Sequence, residues 1–97
     1  MHARVVTNQI RPGKTDEWMS LIREAVVPAL EGQSGFRGFV ILVDRDADRT
    51  IGYSLWDTAD DMAASEDNGN YREQIAKLGA VLARPPERAA YEIISLD

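Results

Sequence analysis

The stretch Gly35–Asp57, GFRGFVILVDRDADRTIGYSLWD, decides how the chain is read. Side chains alternate across a strand, so Phe36–Val43 puts Phe39, Ile41 and Val43 on one face and Gly38, Val40 and Leu42 on the other. Both faces are apolar, so both call for cover. Asp44–Arg49 (DRDADR) has turn chemistry and no apolar run. The second strand sets Ile51, Tyr53 and Leu55 against Gly52, Ser54 and Trp56. Two very small residues beside a tryptophan leave room, and such room is how a small-molecule pocket begins. Equally, Gly52 and Ser54 can simply accommodate a bulky helix side chain.

Outward from this hairpin, Ala3–Ile10 reads as a strand with Val5 on one face and Val6, Asn8 and Ile10 on the other. Arg11-Pro12-Gly13 stops it. A helix follows, with Thr15 as its expected cap and Asp16 and Glu17 at the positive end of its dipole. Trp18, Leu21, Ile22, Ala25, Val26 and Ala29 form its apolar face, and Pro28 predicts an irregular last turn. Past Trp56, Thr58 and Asp61 mark the start of a short second helix, which the polar run Ser65–Asn70 interrupts. A further helical piece aligns Tyr71, Ile75, Leu78 and Leu82 before Pro85-Pro86, and Arg88–Leu96 is the last strand.

The order strand, helix, strand, strand, helix, strand predicts an α+β, ferredoxin-like βαββαβ fold, with a four-stranded antiparallel sheet and both helices on one face. The 97 residues fit one domain, 1–97. Val5, Val40, Leu42, Tyr53, Leu55, Tyr91 and Ile93 then leave the uncovered face strongly apolar, which predicts a homodimer packed through the sheet.

Composition narrows the function classes. The chain is 44% hydrophobic and 28% charged, with 11 basic against 16 acidic residues and a net charge of −5. That balance argues against a nucleic-acid partner, which needs clustered Lys and Arg. There is no cysteine and no membrane-length apolar run, so a cytoplasmic chain without membrane insertion is expected. Asp44, Asp46 and Asp48 have the opening spacing of a calcium loop, but Arg49 and Leu55 occupy its glycine and glutamate positions, so no metal site is expected.

Several features coincide in order: Asn8 on the first strand, Pro12-Gly13-Lys14, Ser34-Gly35-Phe36-Arg37-Gly38-Phe39, Leu55-Trp56-Asp57-Thr58, a broken second helix, Pro85-Pro86 and Tyr91-Glu92-Ile93. Together they resemble the antibiotic biosynthesis monooxygenase (ABM) domain family, whose members are dimeric α+β barrels. The resemblance implies a pocket between sheet and helices, oxidation of a small aromatic or quinol-like metabolite by molecular oxygen, and no cofactor. It implies roles for Asn8 and Trp56, and for Arg72 as the match to an arginine of the second helical region. Gly52, Ser54, Met62 and Tyr71 are expected to contact substrate.

The chain also departs from the family pattern. Gly52 stands where the anthrone oxidisers carry asparagine, and Met62 where they carry tyrosine. The haem degraders need a histidine on the second helix, whereas the one histidine, His2, is expected at a frayed terminus. A non-catalytic binding module of the same fold is therefore the alternative. Each candidate residue also has a structural reading: Trp56 as core, Asn8 as a satisfied core amide, Tyr71 and Arg72 on a solvated helix face.

Overall fold

The computed structural model describes residues 1–97. Four strands, β1 (His2–Gln9), β2 (Phe36–Asp44), β3 (Arg49–Trp56) and β4 (Glu87–Glu92), form one antiparallel sheet in the order β2-β3-β1-β4. Between β1 and β2 lie α1 (Thr15–Leu21), a π-helical turn (Ile22–Val26) and α2 (Val27–Glu31). Between β3 and β4 lie α3 (Ala59–Glu66), α4 (Gly69–Ala76) and a 3-10 turn (Lys77–Ala80). This is the expected α+β ferredoxin-like arrangement. No helix is long and apolar enough to cross a membrane.

Pro28 accounts for the π turn. Proline has no N–H to donate and its ring collides with the carbonyl four residues back, here that of Glu24. Widening the preceding turn removes that collision, and α2 restarts with Pro28 in its first turn. Trp18, Ile22, Val26 and Leu30 consequently all reach the core.

Three local expectations change. Thr15 is the first helical residue and not its cap, because its hydroxyl is used elsewhere, donating to Asp48 Oδ1 at 3.0 Å. This bond ties the start of α1 to the β2–β3 turn. His2 is not frayed: it sits in β1 between Trp56 and Glu92. The last strand ends at Glu92 because β1, its one partner, runs out at His2, which leaves Ile94 and Leu96 unpaired and exposed. The caps of the second helical region are side-chain caps, from Thr58 to the Asp61 N–H and from Asn68 to the Tyr71 N–H.

The helices cover the sheet face that carries Arg4, Val6, Asn8, Gly52, Ser54 and Trp56. The opposite face is open, and Val40, Leu42 and Tyr91 are 49%, 50% and 56% exposed on it.

Candidate functional site

The antiparallel register of β1 and β3 builds the floor of a cavity. Arg4 lies opposite Ser54, Val6 opposite Gly52, and Asn8 opposite Thr50, all on the helix side. Next to two residues with almost no side chain, the helices cannot close down on the sheet. A cavity of about 180 Å³ remains between the layers. Phe39 reaches over Gly52 from β2, so that a Cβ at Gly52 would stand 3.2 Å from the tip of its ring. Trp18, Ile22 and Val26 form the roof, while Tyr71, Ile75 and Leu78 close the side.

The lining is apolar with a few polar groups, the usual make-up of a small-molecule site. Two of these are basic, Arg4 and Arg88, and no Asp, Glu or His is among the lining residues. Arg4 is only 3% exposed. Its Nη1 donates to Ser65 Oγ at 2.8 Å and lies 3.7 Å from Glu66 Oε1. The Ser65 hydroxyl in turn donates to the Met62 carbonyl at 2.6 Å, which fixes it as an acceptor for the arginine. The guanidinium packs between two rings, 4.9 Å from the Tyr71 centroid and 5.6 Å from that of Trp56, and both contacts favour the cation. Its Nη2 has no protein partner.

Asn8 lines the cavity with its amide nitrogen directed to Thr50 Oγ1 at 3.3 Å, a long bond that leaves its polar end adaptable. Burial raises the Tyr71 pKa above its ordinary value. Arg4 and Arg88 oppose that rise and Glu66 adds to it, so the group in the cavity is a neutral phenol at pH 7.

Of the residues singled out by sequence, Asn8, Gly52, Ser54 and Tyr71 line the cavity. Trp56 does not. It is fully buried behind Ser54, whose hydroxyl accepts a 2.9 Å hydrogen bond from the indole Nε1, and Phe36 packs edge-on against it at 5.3 Å. Met62, on α3, is buried in the core and is not on the wall. Arg72 lies outside, on a shallow depression shared by Glu66, Asp67, Tyr71 and Arg88.

Arg4, Trp18 and Arg88 are cavity residues that sequence reasoning missed. A signal existed for Arg4: strand alternation puts it on the same buried face as Val6 and Asn8, and a charge there needs a reason.

Comparison with known proteins places this geometry. Residues 1–77 match the family described as "Antibiotic biosynthesis monooxygenase". Protein Rv2557 of Mycobacterium tuberculosis H37Rv is 39% identical over 78 residues, which are 80% of this chain and 32% of that protein. The chain thus spans about a third of the length of the curated relatives it matches. Among solved structures, SnoaB, a cofactor-independent oxygenase from Streptomyces nogalater, superposes with a TM-score of 0.84 at 17% identity, covering 98% of this chain and 94% of SnoaB. Rv0793 from Mycobacterium tuberculosis superposes with a TM-score of 0.78 at 15% identity, covering 98% and 96%. At these identities the structural likeness speaks for the fold, and the sequence match speaks for the family. The chain belongs to the antibiotic biosynthesis monooxygenase family.

Proposed function

We propose that the chain is a cofactor-independent monooxygenase that oxidises a small aromatic or quinol-like metabolite in the cavity between sheet and helices. The observation that carries this reading is an apolar cavity whose wall carries Arg4, Asn8 and Tyr71 and no acidic side chain, the Glu66 partner of Arg4 lying off that wall. Such a site favours the anion of a weakly acidic substrate, because its cation and dipoles are already oriented in a place with little water. A quinol anion is electron-rich enough to pass an electron to dioxygen. Recombination gives a ring peroxide, and loss of water leaves a hydroxyquinone. Quinol plus O2 thus yields hydroxyquinone plus H2O, with one oxygen atom on the ring and the other in water.

In this reading Arg4 stabilises the oxyanion, Tyr71 donates a hydrogen bond to it, Asn8 serves a second oxygen further along β1, and Val6, Phe39 and Ile75 hold the ring. Trp56 acts from behind the wall by holding Ser54 and stacking on Arg4. The exposed apolar face of the sheet serves a homodimer. A second reading, a binding module with no turnover, is favoured by the lack of any carboxylate or imidazole on the wall to take the substrate proton.

Oxygen uptake with a panel of naphthohydroquinones and anthrones tests the proposal. Protein-dependent uptake that falls in Asn8→Ala and Arg4→Met, with circular dichroism unchanged, supports turnover in this cavity. Ligand binding without uptake supports the binding module.

A further inference from the structure

We infer that Phe39 decides ligand size: it stops the inner end of a slot that runs across the strands, and so selects flat ligands of one or two fused rings. This deepens the proposed function and rests on its reading of the cavity as a ligand site.

The slot follows from the strand register. Ile41, Gly52, Val6 and Arg88 stand side by side on β2, β3, β1 and β4, one row across the whole sheet. Gly52, Val6 and Arg88 of that row line the cavity. Neighbouring strands lie about 4.8 Å apart, so the floor from Arg88 to Gly52 covers roughly 10 Å. The β4 end is open. Arg88 is exposed, and with Tyr71, Ile75 and Ala76 it lines both the cavity and the shallow depression outside it. A ligand therefore enters between α4 and β4.

The β2 end is stopped. Phe39 and Ile22 line the cavity and also a groove beyond it, which they share with Met19, Arg23, Val27 and Ile41. Apart from the adjacent residues of the chain, the Phe39 ring is the only group within 4 Å of where a Cβ of Gly52 would stand. A β-bulge puts the ring there. Arg37 is the extra residue between Phe36, opposite Trp56, and Gly38, opposite Leu55. Without it, Phe36 and Phe39 would face opposite sides of the sheet; with it, both turn toward the helices and pack on the core. Gly38 sits in the bulge at φ +155°, a conformation that favours glycine.

A cavity of about 150 Å³ holds benzene, and the 180 Å³ here takes one substituted ring or two fused ones. A third ring in line has no room in the slot. Phe39 blocks it inward, and outward it passes Arg88 into water. The affinity that its burial would add, about tenfold, is then lost. Without the Phe39 ring, cavity and groove join and the third ring is buried.

Fluorescence titration with 2-naphthol and 2-anthrol, two and three fused rings with the same hydroxyl, tests this. The wild type is expected to bind the two within about threefold of each other. Phe39→Ala is expected to favour 2-anthrol by about tenfold. Phe39→Ala/Gly52→Val, which sets a branched side chain over the same spot from β3, is expected to remove that gain. A general loosening of the core would not be cured in this way. Phe39→Leu is expected to shift the preference in the same direction by a smaller factor, and it serves where Phe39→Ala unfolds. Binding of 2-naphthol shows that each variant is folded. A wild type that already favours 2-anthrol to that extent overturns the inference. So do equal losses for both probes in Phe39→Ala, a gain that survives Gly52→Val, or no binding of either probe to the wild type. Failure of the oxygenase reading looks different: the size pattern holds but no quinol drives oxygen uptake. Equal uptake on anthrones and naphthohydroquinones, unchanged in Phe39→Ala, would keep the oxygenase and discard Phe39 as its size limit.

Discussion

The guanidinium of Arg4 stacks on the ring of Tyr71, with its central carbon 4.9 Å from the ring centroid. One residue comes from the first strand and the other from the fourth helix, so the contact joins the floor of the cavity to its side wall. It also puts a permanent positive charge beside a phenol. Burial still wins over that charge, and the Tyr71 pKa lies above 10.0.

The first prediction concerns pH. A group whose folded-state pKa is raised gives stability that is complete below its unfolded value, here 10.0, and lost as pH rises through the folded value. The stability difference between wild type and Tyr71→Phe should therefore be constant below pH 10. Above it the wild type should lose stability relative to the variant. Denaturant melts across the alkaline range measure this. The difference in phenolate absorbance between the two proteins should give a midpoint above 10 for this one group.

A second prediction follows from Ser54. Its hydroxyl is the hydrogen-bond partner of the Trp56 indole, which is 0% exposed. Ser54→Ala orphans that donor with no water to replace the bond, and the expected loss is about 1–3 kcal/mol. The same substitution removes a polar atom from the cavity wall. Ligand affinity and stability should thus fall together in Ser54→Ala, read by urea melts and calorimetry.

Gly35 gives a third. It has φ +77°, a conformation costing a non-glycine residue about 1–3 kcal/mol. Its carbonyl accepts the Asp57 N–H at 2.8 Å, joining the entry to β2 to the exit from β3. A Cβ at this position would run into the Asp61 carboxylate, which is held by Thr58 at the cap of α3. Strain and collision add, so Gly35→Ala should lower stability by about 2–4 kcal/mol. Gly32→Ala, which meets nothing, is the control and should change stability by less than about 1 kcal/mol.

How much of this was legible in the sequence depends on the length scale of the cause. Alternation fixed the faces of β1, β2 and β3, because one residue per face is a purely local rule. Thr58 and Asp61 marked the start of α3 for the same reason. The small pair Gly52 and Ser54 pointed to the cavity floor. Arg4 was less visible, since its meaning depends on Ser65 and Tyr71, more than sixty positions away. Trp18 read as an ordinary core residue, and nothing local shows that its indole N–H lacks a partner. Trp56 shows the opposite case: the right strand position, but Ser54 stands between it and the cavity, and only the rotamers could reveal that. Thr15 looked like a cap because Ser and Thr usually are at such positions, and a tertiary bond to Asp48 took its hydroxyl instead.

The last prediction concerns the uncovered sheet face. Val40, Leu42 and Tyr91 come from β2 and β4, at the two edges, and between them β1 and β3 contribute Val5, Tyr53 and Leu55. An apolar surface that spans the sheet from edge to edge is more than a chain of this size leaves to water. In a twofold dimer each residue of that face contributes twice, so one charge introduced there is buried in two copies. Leu42→Asp is therefore expected to shift the species in solution from twice the 10.8 kDa chain mass to the chain mass itself, as read by light scattering. The wild-type melting temperature should rise with protein concentration, as mass action requires, and that of the variant should not. A wild type that already runs at the chain mass, with a melting temperature independent of concentration, would remove the dimer from the proposed function. The residues with which a single chain lines the cavity would be unchanged by that result.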